Sequence, residues 1–208
     1  MLNRDQGFIS NINKEPPRPI DQNSSFESLE KDRELAEYAK DQIIYTGLFI
    51  DPKNLYEMFP PKLDHSIRDP HVTVAFRPDS SKVLLDSLGS NAKIEVVGYG
   101  NDGQNEGLLV NVKTDDPAIQ KALDNVIEPD KNGELKHIPT HITLSIANGA
   151  KAVDTRNLEF QKIDNPVSIT GSYRLFGKNG SLINDKNTLE EMNNTNLATN
   201  QEVEPDKL

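Results

Sequence analysis

The chain contains no cysteine and no tryptophan in its 208 residues. Without cysteine there can be no disulfide, no thiolate metal site and no thiol nucleophile, and the redox compartment is left open. No apolar run reaches the roughly eighteen residues a membrane span needs, and the N-terminal stretch is polar and holds Pro16, Pro17 and Pro19. The expectation is therefore a soluble chain without membrane contact, placed in the cytoplasm, with export as a secreted effector left open. Basic residues are also scarce, 23 Lys and Arg against 33 Asp and Glu, for a net charge of −10. That balance argues against capture of long duplex DNA, which needs many contacts from Lys and Arg to phosphate. A small anionic substrate in a locally basic cleft stays possible. Glycine-rich phosphate loops are missing too. Gly98-Tyr99-Gly100-Asn101-Asp102-Gly103 matches neither nucleotide fingerprint and reads as a strand end and turn. No elbow surrounds a serine nucleophile, and no His-Glu-x-x-His spacing marks a metal site, so neither metal nor cofactor is expected.

Only four histidines are present, and two of them open the same tetrapeptide: His71-Val72-Thr73-Val74 and His141-Ile142-Thr143-Leu144. Given this composition, a histidine begins such a pattern by chance about once in seventy, so two among four has odds of roughly one in a thousand. Strict alternation in a β-branched run is the mark of a half-buried strand. Residues two apart on a strand share a face. His71 with Thr73, and His141 with Thr143, should thus project to one side while Val72, Val74, Ile142 and Leu144 pack below. A single copy would read equally well as an ordinary strand with a satisfied core histidine; the pair points to one cleft holding two imidazoles and two hydroxyls.

Along the chain, residues 1–23 read as disordered or loosely attached. Residues 24–41 form an accessory helix opened by a capping box at Ser24 and Glu27. Residues 42–178 form the main domain, and 179–208 a disordered acidic tail. Within the domain, Ile43 to Ile50 is a strand, and Asp51-Pro52 opens a short helix. The first motif strand follows, then a helix capped at Ser80 or Ser81 and running to Leu88 on Val83, Leu84 and Leu88, then a strand from Lys93 to Tyr99. The second part repeats this order. A strand from Gly107 to Val112 leads to a helix opened by Asp116-Pro117 and carried through Ile119, Leu123, Val126 and Ile127. After an Asn132-Gly133 turn come the second motif strand, a poorly defined stretch at 150–160, and a strand from Val167 to Phe176. His137 is read as a loop residue. The fold class expected is α+β: two pseudo-symmetric lobes of antiparallel sheet, about 42–100 and 106–178, with flanking helices around a central cleft.

Two histidines facing one phosphate are enough for phosphodiester cleavage without a metal. With an ordinary pKa of about 6.5, one imidazole can accept a proton while the other, protonated, gives one to the leaving oxygen. Threonine hydroxyls can donate to the non-bridging oxygens, where charge builds.

The paired His-x-Thr-x motifs in a duplicated αβ chain of this size resemble the 2H phosphoesterase superfamily. The resemblance covers roughly Ile43 to Phe176, and it implies metal-independent chemistry at a 2′,3′-cyclic phosphate or a short 2′-linked nucleotide. It also implies that His71 and His141 are the acid and base pair and Thr73 and Thr143 the phosphate-binding hydroxyls. Tyr45, Arg68 and Tyr173 are the candidate substrate-binding side chains. The expected partner is a small nucleotide or an RNA end, met by a monomer. The alternative is a binding module that keeps the cleft and holds a nucleotide or RNA end without cleaving it.

Overall fold

The computed structural model describes residues 22–124, 127–129 and 134–201. In chain order these give α1 (Gln22–Gln42), β1 (Ile43–Ile50), α2 (Pro52–Met58), β2 (His65–Ser66), β3 (His71–Phe76) and β4 (Asn91–Asn101). Then come β5 (Asn105–Lys113), α3 (Pro117–Asp124), β6 (Ile127–Pro129), β7 (Leu135–His137), β8 (His141–Ile146), β9 (Gln161–Gly177), β10 (Leu182–Ile183) and α4 (Lys186–Gln201). The fold is α+β, an antiparallel sheet with flanking helices.

The sheet is barrel-like. Its neighbours run β1-β3-β8-β5-β4-β9, and β9 returns to pair with β1, so six strands close a ring, with β10 on β9 and β2 on β8. The long strand β9 makes closure possible, because its first part pairs with β4 and its last part with β1. The halves expected as lobes therefore share one sheet. Exchanging β1, β3 and β4 for β5, β8 and β9 nevertheless returns the same set of neighbours. That exchange makes β3 and β8, the motif strands, partners of each other.

Alternation decides which face is the core. Leu48, Ile94, Leu108, Ile142, Leu144 and Leu175 are fully buried on one side, and burial of this kind is the main favourable term in folding. Two helix starts follow the sequence closely. Asp51 accepts a hydrogen bond from the Lys53 backbone N–H at 2.9 Å with Pro52 in the first turn, and Asp116 accepts from Ala118 and Ile119 at 2.9 and 3.2 Å.

Other expectations are revised. The helix expected from Ser80 to Leu88 is two 3-10 turns, Ser80–Lys82 and Leu85–Ser87, because Val83 between them takes an extended conformation. Helix α1 begins at Gln22, ahead of the expected cap at Ser24, and α3 ends at Asp124, with Ile127 in the strand pair β6–β7. The stretch at 150–160 carries a 3-10 turn, Ala152–Asn157. His137 belongs to β7 and not to a loop. The Asn132-Gly133 turn and Val126 lie outside the described residues, as do 1–21 of the N-terminal segment and 202–208 of the tail.

The largest revision concerns the segment after 179. β10 extends the sheet and α4 packs on α1, with Ile183 and Leu189 fully buried. Lys186 bridges Asp32 at 3.0 Å and Asp86 at 2.7 Å, Lys31 meets Glu190 at 3.0 Å, and Asn196 donates to the Tyr38 hydroxyl at 2.6 Å. Low apolar content hid this, since the few apolar side chains present, Ile183 and Leu189, find their burial only against distant parts of the chain.

Candidate active site on the paired histidine strands

Strands β3 and β8 bridge at Val72 and Ile142. Both are buried, at 1% and 0% exposure, so their neighbours His71, Thr73, His141 and Thr143 lie on the opposite face, and all four are partly exposed. In an antiparallel pair with that register, His71 stands toward Thr143 and Thr73 toward His141. The four motif side chains therefore share one face, with each histidine diagonal to the other.

Both rings are held in the same way. His71 Nδ1–H donates to the Asp69 carbonyl and His141 Nδ1–H to the Pro139 carbonyl, each at 2.8 Å and each two residues back along the chain. A carbonyl only accepts, so Nδ1 carries the hydrogen in the neutral ring and Nε2 is the nitrogen that exchanges a proton. The strand entries match as well: Ile50 N–H donates to Pro70 O at 3.0 Å, and Val110 N–H donates to Thr140 O at 2.9 Å.

The two sites differ in what surrounds the ring. His71 stacks on Tyr45 with centroids 4.4 Å apart and planes 17° apart, and it meets Phe49 at 5.1 Å. Tyr45 stacks in turn on Phe176 at 4.7 Å. Burial among these rings, opposed by the Asp69 carbonyl and reinforced by the charge of His141, holds the His71 pKa below its ordinary value. Burial also pushes the Tyr45 hydroxyl up to about 12. The space for the His71 ring comes from Gly47. A Cβ there would lie 2.7 Å from Val72 O and 3.3 Å from His71 Cδ2.

The second motif is braced by polar groups. Gly107, paired with Thr143, leaves room for Thr155, whose Cγ2 lies 2.5 Å from the place a Cβ would take. The hydroxyls of Thr143 and Thr155 share a hydrogen bond of 3.1 Å, and Thr143 Oγ1 lies 3.4 Å from Ala152 O. Asn105 Nδ2 donates to Thr155 Oγ1 at 3.1 Å and to Lys151 O at 2.8 Å. Thr73 has no such brace among the described residues.

Of the other candidate side chains, Tyr45 lies against His71. Arg68 is almost fully solvent-exposed, with Nε 3.8 Å from Asp69 Oδ2. Tyr173 is a correction: it is fully buried on the core side, and its hydroxyl accepts from the Leu84 backbone N–H at 3.4 Å. Alternation along β9 puts its neighbours Arg174 and Phe176 on the histidine side instead, opposite Gly47 and Tyr45. Phase along a strand cannot be read where exposed and buried residues are both aromatic. Among the described residues, no trio of His, Asp or Glu side chains is grouped to hold a metal ion.

No family model matches the chain, and no curated protein matches it. Among solved structures, a fungal RNA kinase superposes at a TM-score of 0.36 and 14% identity, over 63% of this chain and 45% of that one. The chain thus spans less than half of that structure, and a likeness at this level carries no argument about activity.

Several residues around the site escape sequence reading. Glu106 is fully buried beside the second motif strand, accepting from Ser145 Oγ, from the Tyr99 hydroxyl at 2.7 Å and from the Lys62 backbone N–H at 2.8 Å. It ties the loop after α2 to β5 and β8. Gly47, Gly107, Phe49, Asn105 and Thr155 escape sequence reading as well. One signal was available: Gly47-Leu48-Phe49-Ile50 and Gly107-Leu108-Leu109-Val110 are a second repeated tetrapeptide, one copy on the strand beside each motif. No described helix is long and apolar enough to cross a membrane.

Proposed function

We propose that the chain is a metal-independent phosphodiesterase of the 2H kind, acting on a 2′,3′-cyclic phosphate or a short 2′-linked nucleotide, including one at an RNA end. The observation that carries this reading is the matched pair of rings. Two imidazoles on adjacent strands, each with Nδ1–H tied to the carbonyl two residues back, present two Nε2 atoms on one face. In this reading His71, kept neutral by burial, is the base. Its Nε2 takes a proton from water as the water oxygen attacks phosphorus, and the bond from phosphorus to the ribose oxygen breaks. His141, protonated, returns a proton from Nε2 to that leaving oxygen, giving a phosphomonoester and a hydroxyl. Thr73 and Thr143 donate to the non-bridging oxygens, with Arg174 on the same face as a countercharge and Tyr45 and Phe176 as an apolar wall for the nucleoside. The duplicated strand order of 42–178 supports the same reading, each half supplying one histidine and one threonine.

The test is a panel of 2′,3′-cyclic nucleotides, 2′,5′-linked dinucleotides, cyclic oligonucleotides and ADP-ribose cyclic phosphate, incubated in chelator with the wild type, His71→Ala and His141→Ala. Turnover by the wild type and a loss of a hundredfold or more in either variant is expected. Activity that disappears in chelator and returns with zinc or manganese overturns the mechanism. The second reading is a nucleotide or RNA-end binder that keeps the cleft without cleaving. It would be distinguished by tight binding of panel members without turnover.

A further inference from the structure

The inference concerns Thr155 and Asn105, and it rests on the phosphoesterase reading of Thr143. Both are polar and buried, at 0% and 2% exposure, and burying polar groups is costly unless each donor and acceptor is satisfied. The hydrogen inventory is restrictive. Asn105 Nδ2 has two hydrogens, one given to Lys151 O and the other to Thr155 Oγ1. Thr155 therefore accepts from Asn105, and its own hydrogen needs an acceptor. Among the described residues its hydroxyl meets only Asn105 and Thr143. The 3.1 Å contact joins two hydroxyls, either of which can donate; with an Asn105 hydrogen already on Thr155 Oγ1, donation from Thr155 to Thr143 satisfies both groups and turns the Thr143 hydrogen away from Thr155. Ala152 O, at 3.4 Å, is a long and weak acceptor for it.

We infer that Thr155, oriented by Asn105, is a positioning residue that aims the Thr143 hydroxyl hydrogen into the cleft toward a phosphate oxygen. The chain of donation runs from the Asn105 amide through the Thr155 hydroxyl to the Thr143 hydroxyl, each donor polarised by the one behind it. The backbone enforces the approach. Gly107 is the residue paired with Thr143, and any side chain there would take the place of the Thr155 methyl. The 3-10 turn Ala152–Asn157 carries Thr155 into this gap, and Leu158 N–H closes that turn on Thr155 O at 3.1 Å. The device is one-sided, since Thr73 in the first motif has no partner of this kind among the described residues. Its consequence is that the two threonines contribute unequally. Thr143 is set before the substrate arrives, whereas Thr73 must lose rotational freedom on binding.

The experiment measures kcat and KM for the wild type, Thr155→Val, Thr155→Ser, Thr143→Ala and the double variant Thr143→Ala/Thr155→Val on the best panel substrate, with thermal unfolding recorded for each. Thr155→Val keeps the methyl that packs at Gly107 and loses only the hydroxyl. It should lower kcat about tenfold with KM nearly unchanged, as expected when a donor is weakened in the transition state. Thr155→Ser should stay within about threefold of the wild type, and the double variant should be no slower than Thr143→Ala alone, because contacts acting through one another are not additive. Wild-type kcat in Thr155→Val, losses that multiply in the double variant, or a Thr155→Ser as slow as Thr155→Val would each overturn the inference while leaving the enzyme reading intact. Calorimetric titration with a nucleoside 2′-monophosphate provides a readout independent of turnover. If the wild type binds it but cleaves nothing, the enzyme reading fails, and the inference then stands or falls on whether Thr155→Val and Thr143→Ala weaken affinity non-additively. A wild type that neither cleaves nor binds removes both.

Discussion

Gly47 and Gly107 occupy equivalent places in the two halves of the sheet. Each is paired with the threonine of the adjacent motif, Gly47 with Thr73 and Gly107 with Thr143. The space each glycine leaves is used differently, by the ring of His71 in one case and by the methyl of Thr155 in the other.

Substituting either glycine should therefore disturb its own motif more than the fold. A Cβ at Gly47 would sit 2.7 Å from Val72 O, and one at Gly107 would sit 2.9 Å from Ile142 O, so the strands must part slightly. Gly47→Ala and Gly107→Ala should each cost about 1–3 kcal/mol in urea unfolding and reduce turnover about tenfold or more. Full activity in Gly47→Ala would show that the His71 ring does not depend on this gap.

The pH dependence has a definite sign. Burial lowers the pKa of His71 in the folded chain, while the unfolded chain keeps the ordinary value of about 6.5. The unfolded state then binds more protons at mildly acidic pH, so stability is present above about 6.5 and declines as pH falls toward the folded pKa. Turnover should follow a bell, with its acidic limb below 6.5 set by His71. In an NMR titration Tyr45→Ala, which admits water to the ring, should move the His71 pKa toward its ordinary value, and a wild-type His71 titrating above 6.5 would refute the assignment of the base.

Glu106 should matter for stability through its partners. Replacing it with leucine strands Ser145, the Tyr99 hydroxyl and the Lys62 N–H without their acceptor. The loss expected is about 2–4 kcal/mol, and Glu106→Gln should lose less because one side-chain oxygen still accepts. A melting temperature unchanged in Glu106→Leu would mean that these donors find water instead.

The segment from β10 onward should be indispensable to the fold. Ending the chain at Lys178 removes Ile183 and Leu189, both fully buried, and the bridges of Lys186. Loss of about 3–5 kcal/mol or more is expected from large apolar groups alone, visible as a lower urea midpoint. An unchanged midpoint would show that α4 contributes little to the packing of α1.

What the sequence determined is local and periodic. Alternation in His71-Val72-Thr73-Val74 and His141-Ile142-Thr143-Leu144 dictates which side chains share a face, and the repeat singles out these two strands. Asp51-Pro52 and Asp116-Pro117 mark helix starts because an aspartate accepts the free N–H groups of the first turn. Tertiary structure decided everything that depends on partners distant in the chain. Direct pairing of β3 with β8 made the motif strands neighbours, and the phase of β9 put Arg174 and Phe176, not Tyr173, on the histidine side. Docking of α4 was set by its contacts with α1, which no composition average registers. The brace on Thr143 needed a glycine on β5, an asparagine two residues before it and a threonine from the turn after β8. Residues so far apart in sequence have no pattern in common, and only the folded chain brings their hydrogen-bonding groups within reach of one another.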